Sequence, residues 1–525
     1  MKGCFQSLLP KIKIGYRRAA PAVERSHSDK AEQDAVPSPS SDVTLRDPFA
    51  RDVSDSGLSL CCGSFKQNEK LPDDVNMLPT YSSDDMTYDG TLSEKIFLTV
   101  ASVIDGLHDD LRKLSLDIWE HPEVGYEEYH AHDTLTAFMA CHGFSVTTHC
   151  LGLETAWRAE YTHGSGGRVI GLQSEMDALL GLGHACGHNL IAISGVAIAL
   201  ALKAALEAHD IAGKIVLLGT PAEEHGGGKI ALLKRGAYQD MDVCLMCHPG
   251  PGRPNGTTVQ PWTAVQNLEV EYTGRTAHAA YAPWDGRNAL DAAVLAYSSV
   301  SVLRQQVKPT HRIHGVIDAQ PDWEPNVIPG SSKMRWAVRA LTWTELESLR
   351  DRVIDCLEAA GRASACTVKI GVGVGYKDCR ENSVLGASPS QGPLGPLAGF
   401  SGRLTRVPDT AEEYVRVART WQGRPAEILD ETLQASTDLG DVSYVVPCLE
   451  PVYTVPTEEG GSNHTAKFAE SARTLEAHAA TLATSKCLAI TALRVLVDAA
   501  FYQKVRDAFD AQRRQEDRTG DKQRN

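Results

Sequence analysis

Three short apolar runs alternate with helical sequence in the first half of the chain, and this alternation limits the fold more than any other feature. The runs read RVIGL from Arg168, KIVLLG from Lys214 and DVCLMC from Asp242. An Ala- and Leu-rich stretch, residues 190–206, separates the first two runs, and a Gly-rich turn with a second helix separates the last two. Because strand–helix–strand units align their strands in parallel, the pattern predicts an α/β fold with a mixed, largely parallel sheet flanked by helices.

Helical sequence also precedes and follows these strands. Apolar residues recur every three or four positions over residues 96–118, which predicts one long amphipathic helix that stops at His121 and Pro122. A second helix is expected over residues 127–141 and a last one over residues 477–509. These helices are the expected covering layers of the sheet.

Residues 265–374 have a different pattern. Four predicted strands and two predicted helices follow one another in the order strand, helix, strand, strand, helix, strand. Such a pattern is typical of an α+β unit with an antiparallel sheet. We therefore predict a split α/β domain, residues 91–264 and 375–509, that is interrupted by an inserted α+β domain, residues 265–374.

Three segments have compositions that do not favour a packed core. Residues 1–90 are rich in Ser, Asp and Pro, and residues 510–525 are strongly charged, so both are predicted to be disordered tails. Residues 386–408 are dense in Gly, Pro and Ser without any periodicity. Two interpretations of this last segment remain open, a long surface loop and an insertion that relatives lack.

The charge balance excludes some classes of partner. The chain has 52 basic and 67 acidic residues and a net charge of −15, which argues against binding of nucleic acid or an anionic membrane. It has no run of about 18 apolar residues that could span a membrane. The 13 scattered cysteines indicate reduced thiols and a cytoplasmic location. The basic N-terminus, whose first acidic residue is Glu24, leaves a mitochondrial presequence as the alternative.

A Cys-Gly-His motif lies at the start of the Ala-rich helix. Cys186 and His188 flank Gly187, and the glycine permits a tight turn that aims both side chains at one point. Thiolate and imidazole suit zinc, manganese, cobalt or nickel, and the thiolate favours zinc or another later metal. The alternative interpretation is a buried, inert cysteine beside a surface histidine, and the short motif alone does not decide between them.

Two further strand ends carry candidate ligands. Glu223 and Glu224 follow the KIVLLG run, and His248 follows DVCLMC. The carboxyl ends of parallel strands are where α/β sheets place their sites. One glutamate could bind a metal while the other accepts a proton from water, although two solvated acids in a loop are the common alternative. Candidate ligands at three strand ends favour a metal site over coincidence.

These motifs resemble those of the M20 metallopeptidase and amidohydrolase family, in the branch of the aminobenzoyl-glutamate and indoleacetyl-amino-acid hydrolases. The resemblance covers residues 92–496 and is interrupted by residues 386–408. Further matching pieces occur in the order of the family: EHPEVGYEE from Glu120, TGRTAHAAYAPWDGRNALDA from Thr273, NVIPG from Asn326, STDLGDVSYVVP from Ser436 and SNHTAKF from Ser462.

The resemblance implies a complete metal site with a general base, Glu223. The ligands that it implies are Cys186, His188, Glu224, His248 and His464. Many family members carry a His-x-Asp motif on the earlier strand, where this chain has Glu175-Met176-Asp177, as expected for the branch that uses cysteine. Asp177 is therefore expected to orient a ligand rather than to bind the metal.

The resemblance also assigns roles to residues 265–374, which it makes a lid and dimerisation domain. A lid histidine in this family reaches a substrate oxygen, often across a dimer interface, and His278 matches it. This implies a homodimer in which His278 stabilises the tetrahedral oxyanion. Asn326 and Arg339 match lid positions that bind the oxyanion or the carboxylate of the substrate.

The function implied is metal-dependent hydrolysis of an amide or peptide bond in a dipeptide or an N-acyl amino acid. One or two divalent ions are expected as cofactor, with zinc favoured and manganese, cobalt or nickel as alternatives. Two other functions stay open, a catalytically inactive scaffold with this fold and a cysteine-dependent amidohydrolase that uses Cys186 with His188. The small-molecule substrate itself is not readable from the sequence.

Overall fold

A computed structural model describes most of the chain after its N-terminal segment. The described residues are 92–252, 254–318, 323–380, 409–429 and 431–523. The predicted tail of residues 1–90 and the Gly/Pro-rich segment of residues 386–408 lie outside the described residues.

Helices and strands alternate along most of the described chain. The helices are α1 (Glu94–Gly106), α2 (His108–Glu120), α3 (Tyr129–Cys141), α4 (His188–Ala208), α5 (Gly228–Lys234), α6 (Ala289–Leu303), α7 (Trp343–Ala363), α8 (Asp409–Thr420), α9 (Leu439–Ser443), α10 (Ala466–Ser471), α11 (Leu475–Val497) and α12 (Ala499–Gln523). The strands are β1 (Ser145–Thr147), β2 (Trp157–His163), β3 (Arg168–Glu175), β4 (Gly213–Thr220), β5 (Val243–Leu245), β6 (His248–Pro251), β7 (Thr257–Val259), β8 (Ala264–Thr273), β9 (Arg312–Asp318), β10 (Ser331–Ala340), β11 (Thr367–Tyr376), β12 (Ala426–Ile428), β13 (Cys448–Leu449) and β14 (Val452–Val455).

The main sheet has the strand order β1-β2-β4-β3-β5-β13. Strands β4, β3, β5 and β13 run parallel to one another, and β2 pairs antiparallel with both β1 and β4. The three predicted apolar runs form β3, β4 and β5. The mixed, largely parallel sheet is therefore confirmed, and the carboxyl ends of β3, β4 and β5 lie at one edge.

Helices α4 and α11 form the centre of the core beside this sheet. They contact each other, and α4 also contacts α1 and β3. Both are long and apolar enough to cross a membrane, but 89% and 78% of their most apolar windows are buried inside the protein. Burial to this extent is typical of core helices, because apolar area removed from water stabilises the fold.

Residues 264–376 form a second layer, named here the antiparallel unit. Its sheet has the order β11-β8-β10-β9 with every pair antiparallel, and α6 and α7 pack against it. The unit has its own hydrophobic core, which includes Leu268, Trp336 and Val353. The six elements that the sequence predicts here are all present, and the α+β arrangement is confirmed.

A third sheet, with the order β12-β7-β14-β6, is absent from the sequence-based prediction. Its strands have only three or four residues each. Such short runs carry too few residues to show a periodicity of two. The sheet matters for the site because it pairs β6, which begins at His248, with β14 from the far end of the chain.

Three predicted element boundaries are wrong. The single helix over residues 96–118 divides at Leu107, after Gly106, whose low helix propensity favours a break. The helix over residues 477–509 divides at Asp498 into α11 and α12. The predicted C-terminal tail continues as helix to Gln523, because its Ala, Gln, Arg and Glu residues are good helix formers.

The close packing of α4 on β3 depends on Gly195. A Cβ atom on Gly195 would overlap the carbonyl oxygen of Gln173 in β3 and lie 2.9 Å from Leu217 Cδ1. We expect Gly195→Ala to lower the free energy of unfolding by about 1–3 kcal/mol, because backbone cannot move aside easily. Gly106→Ala is the control, since nothing lies within 4 Å of its Cβ position; its stability should be unchanged or up to about 1 kcal/mol higher. Urea unfolding of both variants measures this, and equal stabilities would contradict the packing argument.

Candidate metal centre

Acidic and imidazole side chains gather at the carboxyl edge of the main sheet. Asp177 lies two residues beyond β3, Glu223 and Glu224 lie in the turn beyond β4, and His248 begins β6 directly after β5. Asp177, Glu223 and His248 are buried, and the Glu224 side chain is only 8% exposed. Parallel strands bring these distant positions together because their carboxyl ends meet at one edge.

The Cys-Gly-His motif forms the turn into α4. Gly187 is the N-cap and has a left-handed φ of 80°, and a Cβ there would lie 2.6 Å from Pro249 Cγ. Glycine is therefore required both by the backbone conformation and by the closeness of Pro249. The turn places Cys186 Sγ 3.5 Å from His248 Nε2.

His464 joins the site from the C-terminal half of the chain. Its backbone N–H donates to the carbonyl oxygen of Ala185 at 2.9 Å, and its φ is +66°. Its Nε2 lies 3.3 Å from Glu224 Oε2. The side chain is 42% exposed, so it lies on the solvent side of the cluster.

The predicted ligands form overlapping groups whose donor atoms lie within 4.8 Å of one another. One group is Cys186, His188 and His248, and another is Cys186, Glu224 and His464. His188 Nε2 lies 3.8 Å from Glu224 Oε1 and 3.9 Å from Glu223 Oε2. The structure thus brings the five predicted ligands and the predicted base into one cluster.

The donor set fits a divalent ion. His188 Nδ1 contacts Asp177 Oδ1 at 3.0 Å and His248 Nδ1 contacts the carbonyl oxygen of Pro249 at 2.8 Å, so both rings present Nε2 to the cluster. Among the described residues, His188 Nε2 and Glu224 Oε1 are buried without a hydrogen-bond partner. Buried polar atoms without partners are costly, and a bound cation would satisfy them. Thiolate, imidazole and carboxylate together suit zinc.

Burial and neighbouring charges shift the pKa values of the cluster. Burial lowers the pKa of His248 to about 4, which keeps its ring neutral and able to bind a metal. Burial, and then the charges of Glu175 and Glu224, raise the pKa of Glu223 well above its ordinary value. The pKa of Glu224 is lowered, because contacts with His464 and His188 outweigh the opposing effect of burial.

Two buried carboxylates support the cluster from outside. Asp177 accepts hydrogen bonds from the Glu224 N–H at 2.9 Å and contacts His188 through its other oxygen. These are the contacts expected of a group that orients a ligand. Glu128 accepts hydrogen bonds from the Ala222 N–H and the Thr155 hydroxyl, both at 2.7 Å. Glu128 thereby holds the turn before Glu223, where Ala222 has a φ of +54°.

The hydrogen-bond partners described for the residues predicted from the lid lie outside this cluster. His278 is exposed, and its side-chain hydrogen bonds are with the backbone of Ala280 and Tyr281 and with Asn326 Nδ2 at 3.4 Å. Arg339 lies on β10 and donates to Ser436 Oγ at 2.7 Å. His278 and Asn326 therefore contact each other. Neither makes a described hydrogen bond to a predicted ligand.

Sequence reasoning missed several residues that border the cluster. Asn463 lies beside Cys186 Sγ at 3.6 Å, and the Tyr376 hydroxyl donates to the Glu223 carbonyl oxygen at 2.5 Å. Lys229 forms buried ion pairs with Glu175 and Asp438. Glu175 and Asp438 stand inside motifs noted in the sequence, but nothing in those motifs signals the pairing with Lys229.

An α/β sheet with thiolate, imidazole and carboxylate donors at its carboxyl edge is an arrangement typical of metal-dependent hydrolases. The sequence profile described as Peptidase family M20/M25/M40 matches residues 172–511. The chain is 39% identical over 430 residues to the Xaa-Arg dipeptidase of Mus musculus, an alignment that covers 79% of this chain and 92% of that protein. The chain therefore belongs to peptidase family M20/M25/M40.

Solved structures agree with the fold. A putative aminohydrolase from methicillin-resistant Staphylococcus aureus superposes with a TM-score of 0.57 at 17% identity, covering 76% of this chain and 99% of that chain. A dinuclear metal-binding M20 peptidase from Bacillus subtilis superposes with a TM-score of 0.50 at 17% identity, covering 72% and 98%. Family membership confirms the predicted enzyme class, a hydrolase of amide or peptide bonds.

Glu128 allows a test of the turn by pH. Burial raises the pKa of Glu128 from 4.5 to about 7, so its neutral form favours the folded state. That stabilisation is present below about pH 4.5 and is lost as the pH rises through about 7, a change of about 3 kcal/mol. Metal-free Glu128→Gln should therefore gain stability relative to wild type between about pH 4 and about pH 8. Denaturant unfolding at both pH values measures the difference. A flat difference for Glu128→Gln would contradict the assignment.

Proposed function

We propose that the chain is a zinc-dependent dipeptidase whose metal ligands are the five residues predicted above. The observation that carries the proposal is the convergence of Cys186 Sγ, His248 Nε2 and His188 Nε2 in one buried group, with Glu224 and His464 closing its solvent side. The similar Bacillus subtilis structure is of a dinuclear metal-binding peptidase, which supports a site for one or two ions. The thiolate of Cys186 supports zinc over manganese, cobalt or nickel.

The chain's own residues supply proton transfer and orientation. Glu223 lies at the inner side of the cluster, where it takes a proton from the attacking water and passes it to the leaving amine. Asp177 keeps the His188 ring in the tautomer that presents Nε2. A divalent ion, when bound, polarises the amide carbonyl and lowers the pKa of water. Burial of the surrounding side chains strengthens each of these electrostatic effects.

The substrate that we propose is a dipeptide with a basic C-terminal residue. The relative that supports this is the mouse Xaa-Arg dipeptidase, of which 92% is covered by the alignment. The net charge of −15 also favours a cationic substrate over an anionic one. N-acyl amino acids are the second substrate class. They are favoured if the rate of dipeptide cleavage does not depend on the C-terminal side chain.

A substrate panel and one isosteric variant test the proposal. Purified protein loaded with zinc, manganese or cobalt is assayed on Xaa-Arg, Xaa-Lys and β-alanyl dipeptides and on N-acyl amino acids. We expect Xaa-Arg or Xaa-Lys cleavage by wild type, and Glu223→Gln should keep its bound metal while kcat falls at least about a thousandfold. Glu223→Gln with kcat near wild type would contradict the mechanism.

The cysteine-dependent alternative predicts a different response to chelators. The contact between Cys186 Sγ and His248 Nε2 at 3.5 Å is also compatible with a thiolate–imidazole pair. Wild-type activity that survives complete metal removal would favour this alternative. Loss of activity on chelation, with recovery on adding zinc, supports the metal mechanism.

We also propose a homodimer in which the antiparallel unit, as lid and dimerisation domain, brings His278 to the partner's site. His278 and Asn326 are exposed and contact each other, and neither makes a described hydrogen bond to a ligand of its own chain. Helix α6 of the unit also exposes large apolar side chains, with Val294 at 49% and Val302 at 72%, and such a surface suits a subunit contact. Arg339, on β10, is assigned to the substrate carboxylate.

Mixing two inactive variants tests His278 across the interface. In a heterodimer of His278→Ala with Glu223→Gln, one of the two sites would combine an intact Glu223 with an intact His278 from the other chain. The two variants are mixed in equal amounts, unfolded together and refolded together. This should restore roughly a quarter of wild-type activity, because half of the dimers are heterodimers and each heterodimer has one intact site. Each variant refolded alone is the control. No recovery in the mixture, with dimers present by light scattering, would place His278 in its own chain's site.

We propose a cytoplasmic location and the domain division predicted from the sequence. The support for the location is the use of a cysteine as a metal ligand, which requires a reduced thiolate. Import into mitochondria is the alternative, and fractionation of cells that express the full chain distinguishes the two. The separate hydrophobic core of the antiparallel unit supports its treatment as a domain inserted between residues 264 and 375.

A further inference from the structure

Glu175 is the carboxylate nearest to His188 Nε2, yet the ligand set above does not include it. Glu175 Oε2 lies 3.4 Å from His188 Nε2, closer than Glu224 at 3.8 Å or Glu223 at 3.9 Å. Glu175 ends β3 and its side chain is 0% exposed. A buried carboxylate this close to a ligand nitrogen requires a physical role.

Neither of the two facing atoms has a hydrogen-bond partner in the part of the chain that the structure describes. Glu175 Oε2 and His188 Nε2 are among the buried polar atoms that form no hydrogen bond with any described residue. His188 Nδ1 contacts Asp177, which leaves Nε2 as the metal-binding nitrogen. Two atoms that each lie about 2.1 Å from a tetrahedral ion are about 3.4 Å apart. The observed separation therefore equals that of two ligands of one ion.

The other oxygen of Glu175 is fixed from behind. Lys229 is fully buried, and its Nζ donates to Glu175 Oε1 and to Asp438 Oδ1, each at 2.5 Å. The backbone N–H of Lys229 also donates to Asp438 Oδ2 at 2.8 Å. A carboxylate held in this way by one oxygen presents the second oxygen in a set direction, as supporting groups do at metal sites.

The local charge also favours a cation. Carboxylate oxygens of Glu175, Glu223 and Asp438 lie within 4.8 Å of one another, and Lys229 balances only part of their charge. Buried like charges are unfavourable unless cations compensate them. A divalent ion between Glu175 Oε2 and His188 Nε2 would provide this compensation.

We propose that Glu175 is a further metal ligand, binding through Oε2 the same ion as His188, with Lys229 as its positioning residue. The inference rests on the proposed metal centre and extends it by one ligand. The ion beside Glu175 and His188 would have carboxylate and imidazole ligands. These form a harder ligand set than the Cys186 thiolate with His248. The ion next to Glu175 is thus the one that accepts manganese more readily.

An isosteric variant tests the ligand. In Glu175→Gln the amide oxygen still accepts from Lys229, while the amide NH2 replaces Oε2 and cannot bind a cation. We expect this variant to lose one bound ion per chain, or to bind zinc and manganese at least about tenfold more weakly. Elemental analysis after dialysis and competition with a chromophoric chelator measure both quantities. Thermal unfolding of the metal-free proteins reports whether folding is intact.

Asp438→Asn is the matched control. It removes the other carboxylate that contacts Lys229, at the same depth, but Asp438 makes no described contact with His188. We expect Asp438→Asn to keep the same number of ions per chain as wild type, because the Glu175 carboxylate is unchanged and the new amide oxygen still accepts from Lys229. Full metal retention by Glu175→Gln would overturn the proposal, and so would equal metal loss in both variants, because that would indicate a general effect of charge.

A zinc-loaded crystal structure of wild type tests the proposal without any variant. A zinc–Oε2 distance of about 2.0–2.2 Å to Glu175 is expected. A distance beyond about 3 Å, with Glu175 only hydrogen-bonded to His188, would overturn the proposal while leaving the metal centre intact. If wild type binds no ion at all, the proposed function fails instead, so the two failures are distinguishable.

Discussion

The site depends on the burial of several like charges at one edge of a sheet. Glu175, Asp177, Glu223 and Asp438 are all buried where β3 and β4 end, and the Glu224 side chain is nearly so. Burial and mutual repulsion disfavour the charged forms of these groups and raise the pKa of Glu223. Cations beside the carboxylates offset this repulsion. Lys229 offsets part of the charge from the inner side. On the solvent side, imidazoles and a bound metal ion would offset the rest of the negative charge. Folding and metal binding are therefore coupled.

Much of the fold was predictable because its signals are local. Apolar runs of five or six residues mark β3, β4 and β5, and the antiparallel unit shows six elements with clear periodicity. The third sheet was not predictable, because it pairs short segments such as Thr257–Val259 and Ala426–Ile428 that lie far apart in the sequence. The division at Leu107 was also hidden, since the apolar spacing continues across it.

The candidate site, too, was predictable only where the sequence carries a local signal. Cys186, His188, Glu223 and Glu224 stand in motifs at strand or helix ends, so geometry alone made them candidates. His464 has no such local signal, and only resemblance to a family indicated it. Lys229 falls one position after a Gly-rich turn and reads as a solvated lysine, yet it is fully buried. Which charges are buried depends on tertiary packing, and no local pattern contains that information.

The position of His464 in the sequence determines when, during translation, the proposed ligand set is complete. Cys186, His188, Glu224 and His248 all emerge before the antiparallel unit is synthesised, whereas His464 and its neighbour Asn463 follow long after it. His464 reaches the cluster through its hydrogen bond to Ala185, and β14 completes the strand pairing of β6. A nascent chain therefore lacks one of the five proposed ligands until residue 464 has been synthesised. The proposed ligand set is thus complete only in a chain that extends beyond His464.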